Sequence, residues 1–341
     1  SSPLGGVFSP DGKLIAVRDV GRVTLYSAAT LAPVGPPLPV PAGPPVHGFP
    51  PVGIVAFSPD GRVLAVGGGA PTIQRYQVAT LDPVGDPIQV DAPPSSLAFS
   101  PDGDVLAIGS ALDRITLVDT QQGTQSPPHR LGSSSFTDVT FSPDGRRLVA
   151  TSFGGGAWVF DLTKEDPTPE LLPDTVDDVA VAAFSPDGSL AATGSPAGTV
   201  QFRDPRTFAP LGAPVTVAEG FVSSLAFSPD GSLLAASDLN QSLTASTTRL
   251  VDVATRQTVG EPLVGLFTPP SFSPDGTTMA TSSLRNTLLW SLDPVIWRER
   301  ACEIAGRSLT DAEVREYLPN NPGAPPTCAD FPRAEARQRD P

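Results

Sequence analysis

The side chains best suited to catalysis or metal binding are few in this sequence and lie far apart. The two histidines, His47 and His129, fall in Pro-rich connections, and neither has a cysteine near it. A general base or a metal site needs partner groups at close range. We therefore predict that both histidines are solvated loop residues, and no catalytic residue is assigned.

Both cysteines, Cys302 and Cys328, lie within the last 40 residues. Two thiols without a nearby histidine do not make a zinc site. A disulfide between them would close a loop of about 26 residues and add roughly 3 kcal/mol in the chain-entropy model. Two buried free thiols are the alternative.

Seven aspartates recur at equivalent places in the chain: Asp11, Asp60, Asp102, Asp144, Asp187, Asp230 and Asp275. Carboxylates bind Ca²⁺, but a calcium site needs several oxygens that converge on one point. Equivalent turns on separate repeats would spread these carboxylates in a circle, so no metal site is predicted. The Gly-rich stretches at Gly67 and Gly194 match neither a phosphate loop nor a nucleophile elbow, and no cofactor is predicted.

Each of these aspartates belongs to one copy of the pentapeptide FSPDG. The copies begin at Phe8, Phe57, Phe99, Phe141, Phe184, Phe227 and Phe272, so their spacings are 49, 42, 42, 43, 43 and 45 residues. This period, with several strand signals per unit, is typical of a propeller blade. Pro sets φ in the turn and Gly accepts the left-handed conformation. The predicted structural turn glycines are Gly12, Gly61, Gly103, Gly145, Gly188, Gly231 and Gly276.

Four strands per unit can be recognised around each turn. Apolar residues two apart precede it, a dense run such as VLAVG follows it, and segments such as RITLVD and PVGDPIQV supply the third and fourth strands. The residue four places after the turn glycine is small and would fit where the blades converge on the axis. The sequence thus predicts an all-β, seven-bladed propeller over residues 1–292.

A fourth strand is not apparent in the seventh unit. Residues before Ser1, the tail after Leu318, or no strand at all are the alternatives. We favour an upstream strand, because an unpaired third strand would expose hydrogen-bonding groups along an edge. That expectation makes the chain the end of a longer protein.

Composition disfavours several classes of partner. The formal charge of −14 and the lack of a basic run argue against nucleic acid. No apolar run approaches the roughly 18 residues that span a bilayer, and the N-terminus lacks signal-peptide features. We therefore predict no membrane insertion by this region and a cytoplasmic location.

The repeat pattern resembles the WD-repeat family of β-propellers over about residues 1–292. The Trp-Asp dipeptide of that family falls where this chain has Val118-Asp119, Phe160-Asp161, Arg203-Asp204, Val251-Asp252 and Trp290-Ser291. The family's Gly-His dipeptide is absent, so the hydrogen-bonded tetrad built on it cannot form here.

Residues 293–341 leave the repeat pattern and are predicted to be a Pro-rich extension with short helices. The capping box TDAE, beginning at Thr310, starts one helix, and Gly306 ends an earlier one that starts at Ile296. The tail also resembles the C-termini of bacterial WD-repeat proteins associated with STAND signal-transduction ATPases. The matching residues are Trp297, Ala301-Cys302, Ala305 to Arg307, Leu309-Thr310, Glu313 and Thr327-Cys328. The resemblance implies a C-terminal propeller that recognises a partner for an upstream nucleotide-binding switch.

A protein partner is predicted on the face opposite the pentapeptide turns, where the connections vary in length. Aromatic and Arg residues are enriched among interface hot spots. The candidates are Arg18, Phe49, Arg114, Phe136, Phe153, Phe221, Phe267 and Arg285. The alternative for the phenylalanines is that they close the ends of the core.

The resulting prediction is a non-catalytic interaction or sensing module, whose partner is another protein or an upstream domain of the same polypeptide. Two rivals are a propeller hydrolase or lactonase with a metal in the axial channel, and an autoinhibitory scaffold that docks to its own upstream domain. The predicted inner strands offer chiefly Ala, Leu, Val and Ser, which do not suit the first rival.

Overall fold

The computed structural model describes residues 5–43, 53–110, 112, 114–131, 137–152, 156–164, 167–172, 179–239, 246–265, 270–282 and 287–293. These residues form seven antiparallel sheets and contain no helix. The chain divides into two compact units, Ser1–Leu289 and Trp290–Pro341, and only residues 290–293 of the second are described.

Each sheet is one blade whose strands follow chain order. The first strands are β1 (Gly6–Phe8), β5 (Ile54–Phe57), β9 (Pro94–Phe99), β13 (Thr137–Phe141), β17 (Val181–Phe184), β21 (Phe221–Phe227) and β25 (Ser271–Phe272). The second strands are β2 (Leu14–Asp19), β6 (Val63–Gly67), β10 (Val105–Ser110), β14 (Arg147–Ser152), β18 (Ala191–Gly194), β22 (Leu233–Leu239) and β26 (Thr278–Ser282).

The third strands are β3 (Arg22–Ser27), β7 (Thr72–Gln77), β11 (Arg114–Asp119), β15 (Gly156–Asp161), β19 (Thr199–Arg203), β23 (Ser246–Asp252) and β27 (Thr287–Ser291). The fourth strands are β4 (Leu38–Pro39), β8 (Ile88–Gln89), β12 (His129–Arg130), β16 (Glu170–Leu171), β20 (Val215–Thr216) and β24 (Gln257–Gly265). In the described ranges the seventh blade has three strands.

Most neighbouring blades contact one another through their first strands, which are therefore the innermost; between the first and second blades the contact is from β2 to β5. The ring closes between the seventh and first blades. The Phe8 backbone N–H donates a hydrogen bond to Ser271 Oγ (3.2 Å), and Phe8 and Ile15 pack with Ala280. The predicted all-β, seven-bladed propeller is confirmed, whereas the predicted helices of the extension lie outside the described residues.

The hydrophobic core is divided into layers between adjacent blades. One cluster, for example, joins Ala16 and Leu25 of the first blade to Val55 and Leu64 of the second. The small residue four places after each turn glycine is fully buried on a second strand in every blade: Ala16, Ala65, Ala107, Val149, Ala192, Ala235 and Ala280. Propeller packing thus uses these small side chains to let neighbouring sheets approach.

The pentapeptide turns repeat one hydrogen-bond pattern seven times. In the fifth blade the Ser185 hydroxyl donates to Asp187 Oδ1 (2.6 Å), and the backbone N–H of Leu190 donates to Ser185 Oγ (2.9 Å). The Ser189 N–H donates to the same Asp187 oxygen (3.0 Å). The turn serine is buried in every blade, so this network fixes the hairpin from inside.

The turns also contact one another around the ring. Their seven glycines have φ between 68° and 80°. A Cβ added to six of them would lie 3.5 to 3.9 Å from Cδ of the turn proline in the preceding blade, and for Gly12 the distance to Pro274 is 3.1 Å. We call this circle of contacts the turn belt.

We predict that Gly12→Ala destabilises the protein more than Gly123→Ala. Both glycines have φ near 70°, so each substitution carries a strain of about 1 to 2 kcal/mol. A Cβ at Gly123 meets nothing within 4 Å, whereas one at Gly12 presses on Pro274 where the ring closes. Urea unfolding measures both free energies, and equal losses would show that the contact between turns does not matter.

The turn carboxylates have lowered pKa values because they accept hydrogen bonds. The pKa of Asp187 is lowered to about 2, first by the Ser185 hydroxyl and then by the Ser189 backbone and side chain. The pKa values of Asp11, Asp60, Asp102, Asp144, Asp230 and Asp275 are lowered for the same main reason. A carboxylate with a lower pKa in the folded state stabilises that state above its unfolded pKa.

We predict that Asp187→Asn lowers the free energy of unfolding at pH 7 and that this loss disappears as the pH falls from about 4 to about 2. Over that range the wild-type carboxylate becomes protonated and its advantage vanishes. Asp86→Asn, which removes the same charge from an exposed loop, is the control. A difference from wild type that stays constant with pH would contradict the prediction.

Candidate functional site

The strand connections divide between two faces of the ring. The pentapeptide turns and the loops between third and fourth strands lie on one, the pentapeptide face. The turns between second and third strands, and the connections from each fourth strand to the next blade, lie on the other. We call this second face the loop face.

Two apolar side chains project from turns on the loop face. Val20, between β2 and β3, is 42% exposed, and Leu112, between β10 and β11, is 57% exposed. Neither residue was predicted as a site residue from the sequence. The available signal was an apolar residue at a turn tip, in DVGR and ALDR, where polar residues are usual.

Three of the eight predicted partner-binding residues lie in the described ranges. These are Arg18, Arg114 and Phe221. The other five, Phe49, Phe136, Phe153, Phe267 and Arg285, lie outside them, as do His47, Cys302 and Cys328.

Arg18 is half-buried, and within the described ranges its side chain forms no hydrogen bond or ion pair. Its backbone N–H donates to the Gly5 carbonyl (2.8 Å), and a Cβ added to Gly5 would lie 3.0 Å from the Arg18 Cζ. The Nε atom is buried and has no hydrogen-bond partner, although part of the side chain still meets solvent. Burial lowers the pKa of Arg18 to about 10, so the guanidinium remains charged at neutral pH.

The carboxylate next to Arg18 in the chain does not compensate this charge. Asp19 accepts a hydrogen bond from Arg22 Nε (3.1 Å), and its Oδ2 lies 3.1 Å from Arg22 Nη2. The lowered pKa of Arg18 has burial as its cause and no contribution from a neighbouring charge.

Arg114 is in a different electrostatic state. Its guanidinium forms an ion pair with Asp91, which lies in the connection between the second and third blades. Its Nε is buried without a hydrogen-bond partner, as in Arg18, but the charge is neutralised. Phe221, at the start of β21, is half-buried and is not a freely projecting aromatic side chain.

The innermost positions at the loop-face ends of the blades follow a common pattern. In most blades a side chain on the first strand lies opposite a small residue on the second strand, and we call the two an inner pair. The inner pairs of the second to sixth blades are Ile54/Gly67, Ser96/Gly109, Asp138/Thr151, Val181/Gly194 and Ser224/Ser237. In the first blade the pattern is reversed, with Gly5 on the inside and Arg18 behind it.

Asp138 is an inner acidic residue that the sequence analysis missed. The Ser96 hydroxyl of the neighbouring blade donates to Asp138 Oδ1 (2.6 Å), as does the Val139 backbone N–H (3.0 Å). Burial raises the pKa of Asp138 and outweighs the opposing effect of these bonds. Alignment of the units, which places Asp138 level with Ser96, Val181 and Ser224, was the available signal.

The prediction that His129 is a solvated loop residue is wrong. His129 is half-buried in β12, opposite Ile115, because the fourth strand of the third blade begins there. Its ring packs edge-on against Phe160 of the next blade, with 5.4 Å between ring centroids. His129 thus has a packing role.

A groove of about 440 Å³ lies on the pentapeptide face between the third and fourth blades. Asp102, Asp119 and Thr124 contribute polar groups to it, and Leu117 and Leu162 contribute apolar surface. In the described ranges no three His, Cys, Asp or Glu side chains are grouped as metal ligands. None of the described segments forms a helix that is long and apolar enough to cross a bilayer.

The fold is that of a β-propeller, and two segments of the chain match a known family of repeats. Residues 124–161 and 212–243 match the family model described as WD domain, G-beta repeat. No curated protein matches the chain. The two matches and the ring of seven blades support a WD-repeat propeller, a class that typically serves as a protein-interaction module.

In the fifth blade an arginine, Arg203, stands where the WD-repeat family has tryptophan, and it makes its own hydrogen bonds. Arg203 is buried at the end of β19, where its Nε donates to Thr193 Oγ1 (2.9 Å) on the second strand. Its Nη1 donates to the Phe208 carbonyl (2.9 Å). The third strand of the fifth blade is thus tied to its neighbour without a tryptophan.

We predict that Asp138→Asn makes the protein more stable than wild type at pH 7. An acid with a raised pKa in the folded state destabilises that state when ionised, and the cost declines as the pH falls toward 3.8. The advantage of the variant should shrink over the same range. Denaturant unfolding at several pH values measures this.

Ser96→Ala is the matched control for that substitution. It removes the hydroxyl that donates to Asp138 and leaves the carboxylate in place, so it should destabilise the protein at pH 7. A less stable Asp138→Asn variant at pH 7 would show that the carboxylate is favourable.

Proposed function

We propose that this chain is a non-catalytic protein-interaction or sensing module and that its loop face recognises the partner. The observation that carries the proposal is the combination of Val20 and Leu112, exposed on turn tips, with the charged Arg18 on the same face. Exposed apolar side chains gain free energy when a partner removes them from water, and arginines are enriched among interface hot spots.

The pentapeptide face is less suited to recognition, because its most regular groups already have partners. Each turn serine donates to its turn aspartate, and each turn glycine lies against a proline of the preceding blade. Such groups maintain the ring. Connections on the loop face do not carry this repeated pattern, so they are free to vary with the partner.

The proposal extends to residues outside the described ranges. Phe49, Phe136, Phe153, Phe267 and Arg285 lie in connections that the repeat assigns to the loop face, and we include them in the recognition surface. The propeller domain is taken as residues 1–292 and the extension as residues 293–341.

The proposed setting is a larger cytoplasmic signalling protein of bacteria, in which the propeller follows a STAND-type nucleotide-binding switch. The tail residues that resemble such proteins, Ala305 to Arg307 and Thr327-Cys328 among them, support this proposal. The partner is then another protein or the upstream region of the same polypeptide.

The test compares partner capture by two double variants of the full-length protein in its native cells. Val20→Ser with Leu112→Ser should reduce capture of a specific partner by about tenfold or more, because the apolar surface that both side chains would bury on binding is lost. Leu31→Ser with Val34→Ser is the control, since these side chains are 56% and 39% exposed on the pentapeptide face. Thermal midpoints should stay close to that of wild type in both.

Partner loss in the control but not in the loop-face variant would place recognition on the pentapeptide face. Equal capture by both variants and by wild type would contradict the proposed use of Val20 and Leu112. Capture by a separately expressed upstream region, with no other protein recovered, would favour the autoinhibitory role.

A further inference from the structure

We propose that Arg18 forms a carboxylate-binding site on the inner wall of the ring, at its loop-face end, and that a partner protein supplies the carboxylate. The inference rests on the proposed function and specifies the chemistry that the loop face recognises. Three independent observations support it: the position of Arg18, the state of its charge and the charges around it.

The position of Arg18 follows from the inner pairs. In the inner pairs of the second to sixth blades the residue on the first strand is Ile, Ser, Asp or Val. The residue opposite it on the second strand is Gly, Ser or Thr. In the first blade the innermost residue is Gly5, and the Arg18 guanidinium lies against it. The long side chain thus occupies the place that an inner side chain fills elsewhere, at the loop-face end of the first blade.

The state of the charge indicates that the site lacks a ligand group. No hydrogen bond or ion pair is formed by the Arg18 side chain within the part of the chain that the structure describes, and its Nε is buried. A buried N–H without a hydrogen-bond acceptor is unfavourable, and buried polar groups in folded proteins are usually satisfied. A shorter polar residue, as in the other blades, would avoid this cost.

The surrounding charges favour a monoanion over a polyanion. Arg114 is neutralised by Asp91, Arg22 is paired with Asp19, and the chain has a formal charge of −14. A phosphate-rich partner would be repelled by this surplus of carboxylates. One guanidinium matches one carboxylate, and its planar fork can donate two parallel hydrogen bonds to the two oxygens.

The inner acid does not occupy this site. Asp138 belongs to the fourth blade and is held by the Ser96 hydroxyl and the Val139 backbone N–H. No hydrogen bond or ion pair joins Asp138 to Arg18 among the described residues, so the two side chains do not form an internal pair. Arg18 is therefore available to an external carboxylate that enters from the loop face.

The test follows the arginine Nε–Hε signals of the protein by NMR during titration with sodium acetate, which replaces sodium chloride at constant ionic strength. We expect the Arg18 signal to shift and to saturate. Arg18→Gln identifies that signal by its loss. Arg114 is the internal control, because its Nε is equally buried but its guanidinium is paired, and its signal should not move.

Two further titrations distinguish the source of the carboxylate. N-acetylglutamate α-amide presents it as a side chain, and N-acetylglycine presents it as a chain terminus. Saturation by the first at lower concentration assigns an acidic side chain of the partner, and the reverse assigns its C-terminus. An Arg18 signal that does not shift, or that changes only in parallel with Arg114, would overturn the proposal.

Stability offers a second measurement that does not depend on a ligand. Arg18→Ser, which adopts the residue type of the sixth blade at this position, should raise the thermal midpoint in chloride buffer and lose the stabilisation that acetate gives to wild type. A lower midpoint would mean that Arg18 is a structural residue, and would overturn the proposal.

The partner-capture experiment then separates this inference from the proposed function. Arg18→Gln should reduce capture by about tenfold, since the partner's carboxylate would be left without its counter-charge. Normal capture by Arg18→Gln, with loss in the Val20 and Leu112 variant, would refute the carboxylate site while retaining the loop face. Normal capture by both variants would overturn the loop face as the docking surface and the partner's carboxylate together.

Discussion

The structure depends on the contact between each pentapeptide turn and the turn before it. A buried serine and its aspartate fix the hairpin, and its glycine adopts the left-handed conformation next to the proline of the preceding blade. One short motif therefore shapes a blade and also spaces it from its neighbour. The small residues between the second strands, such as Ala16 and Ala65, continue this spacing through the core.

This division of labour explains why the two faces differ. The pentapeptide face carries the turn residues that fix the hairpin of each blade, so the same residue types recur there in all seven blades. The loop face carries turn tips such as Val20 and Leu112, which the scaffold does not require. The reversal of the inner pair at Gly5 and Arg18 belongs to the same face, and it places an arginine where the second strands of the second to sixth blades have Gly, Ser or Thr.

The sequence predicted the ring well because its signals are local. A turn that needs Pro and Gly, flanked by alternating apolar residues, predicts the same hairpin in every blade. The properties of single side chains were less predictable, because they depend on the register between strands and on neighbouring blades. Arg114 is neutralised by Asp91 across a blade boundary, and His129 is half-buried because it pairs with Ile115.

The place of Arg18 on the loop face could be predicted by counting strands. That its side chain has no hydrogen bond or ion pair among the described residues could not. That property depends on Gly5 lying opposite it, which only the register shows. Asp138 was not predicted for a similar reason. Its hydrogen bond with Ser96 joins residues that are 42 positions apart in the chain and lie in different blades.

The turn belt has a further consequence for how the ring unfolds. In an open array of repeats, terminal units can fray because each has a neighbour on one side only. Here Gly12 meets Pro274 and Phe8 donates to Ser271, so the first and last blades each have two neighbours. No blade is terminal in space, and releasing one requires two interfaces to open together. The closed circle thereby converts seven similar units into a single cooperative body.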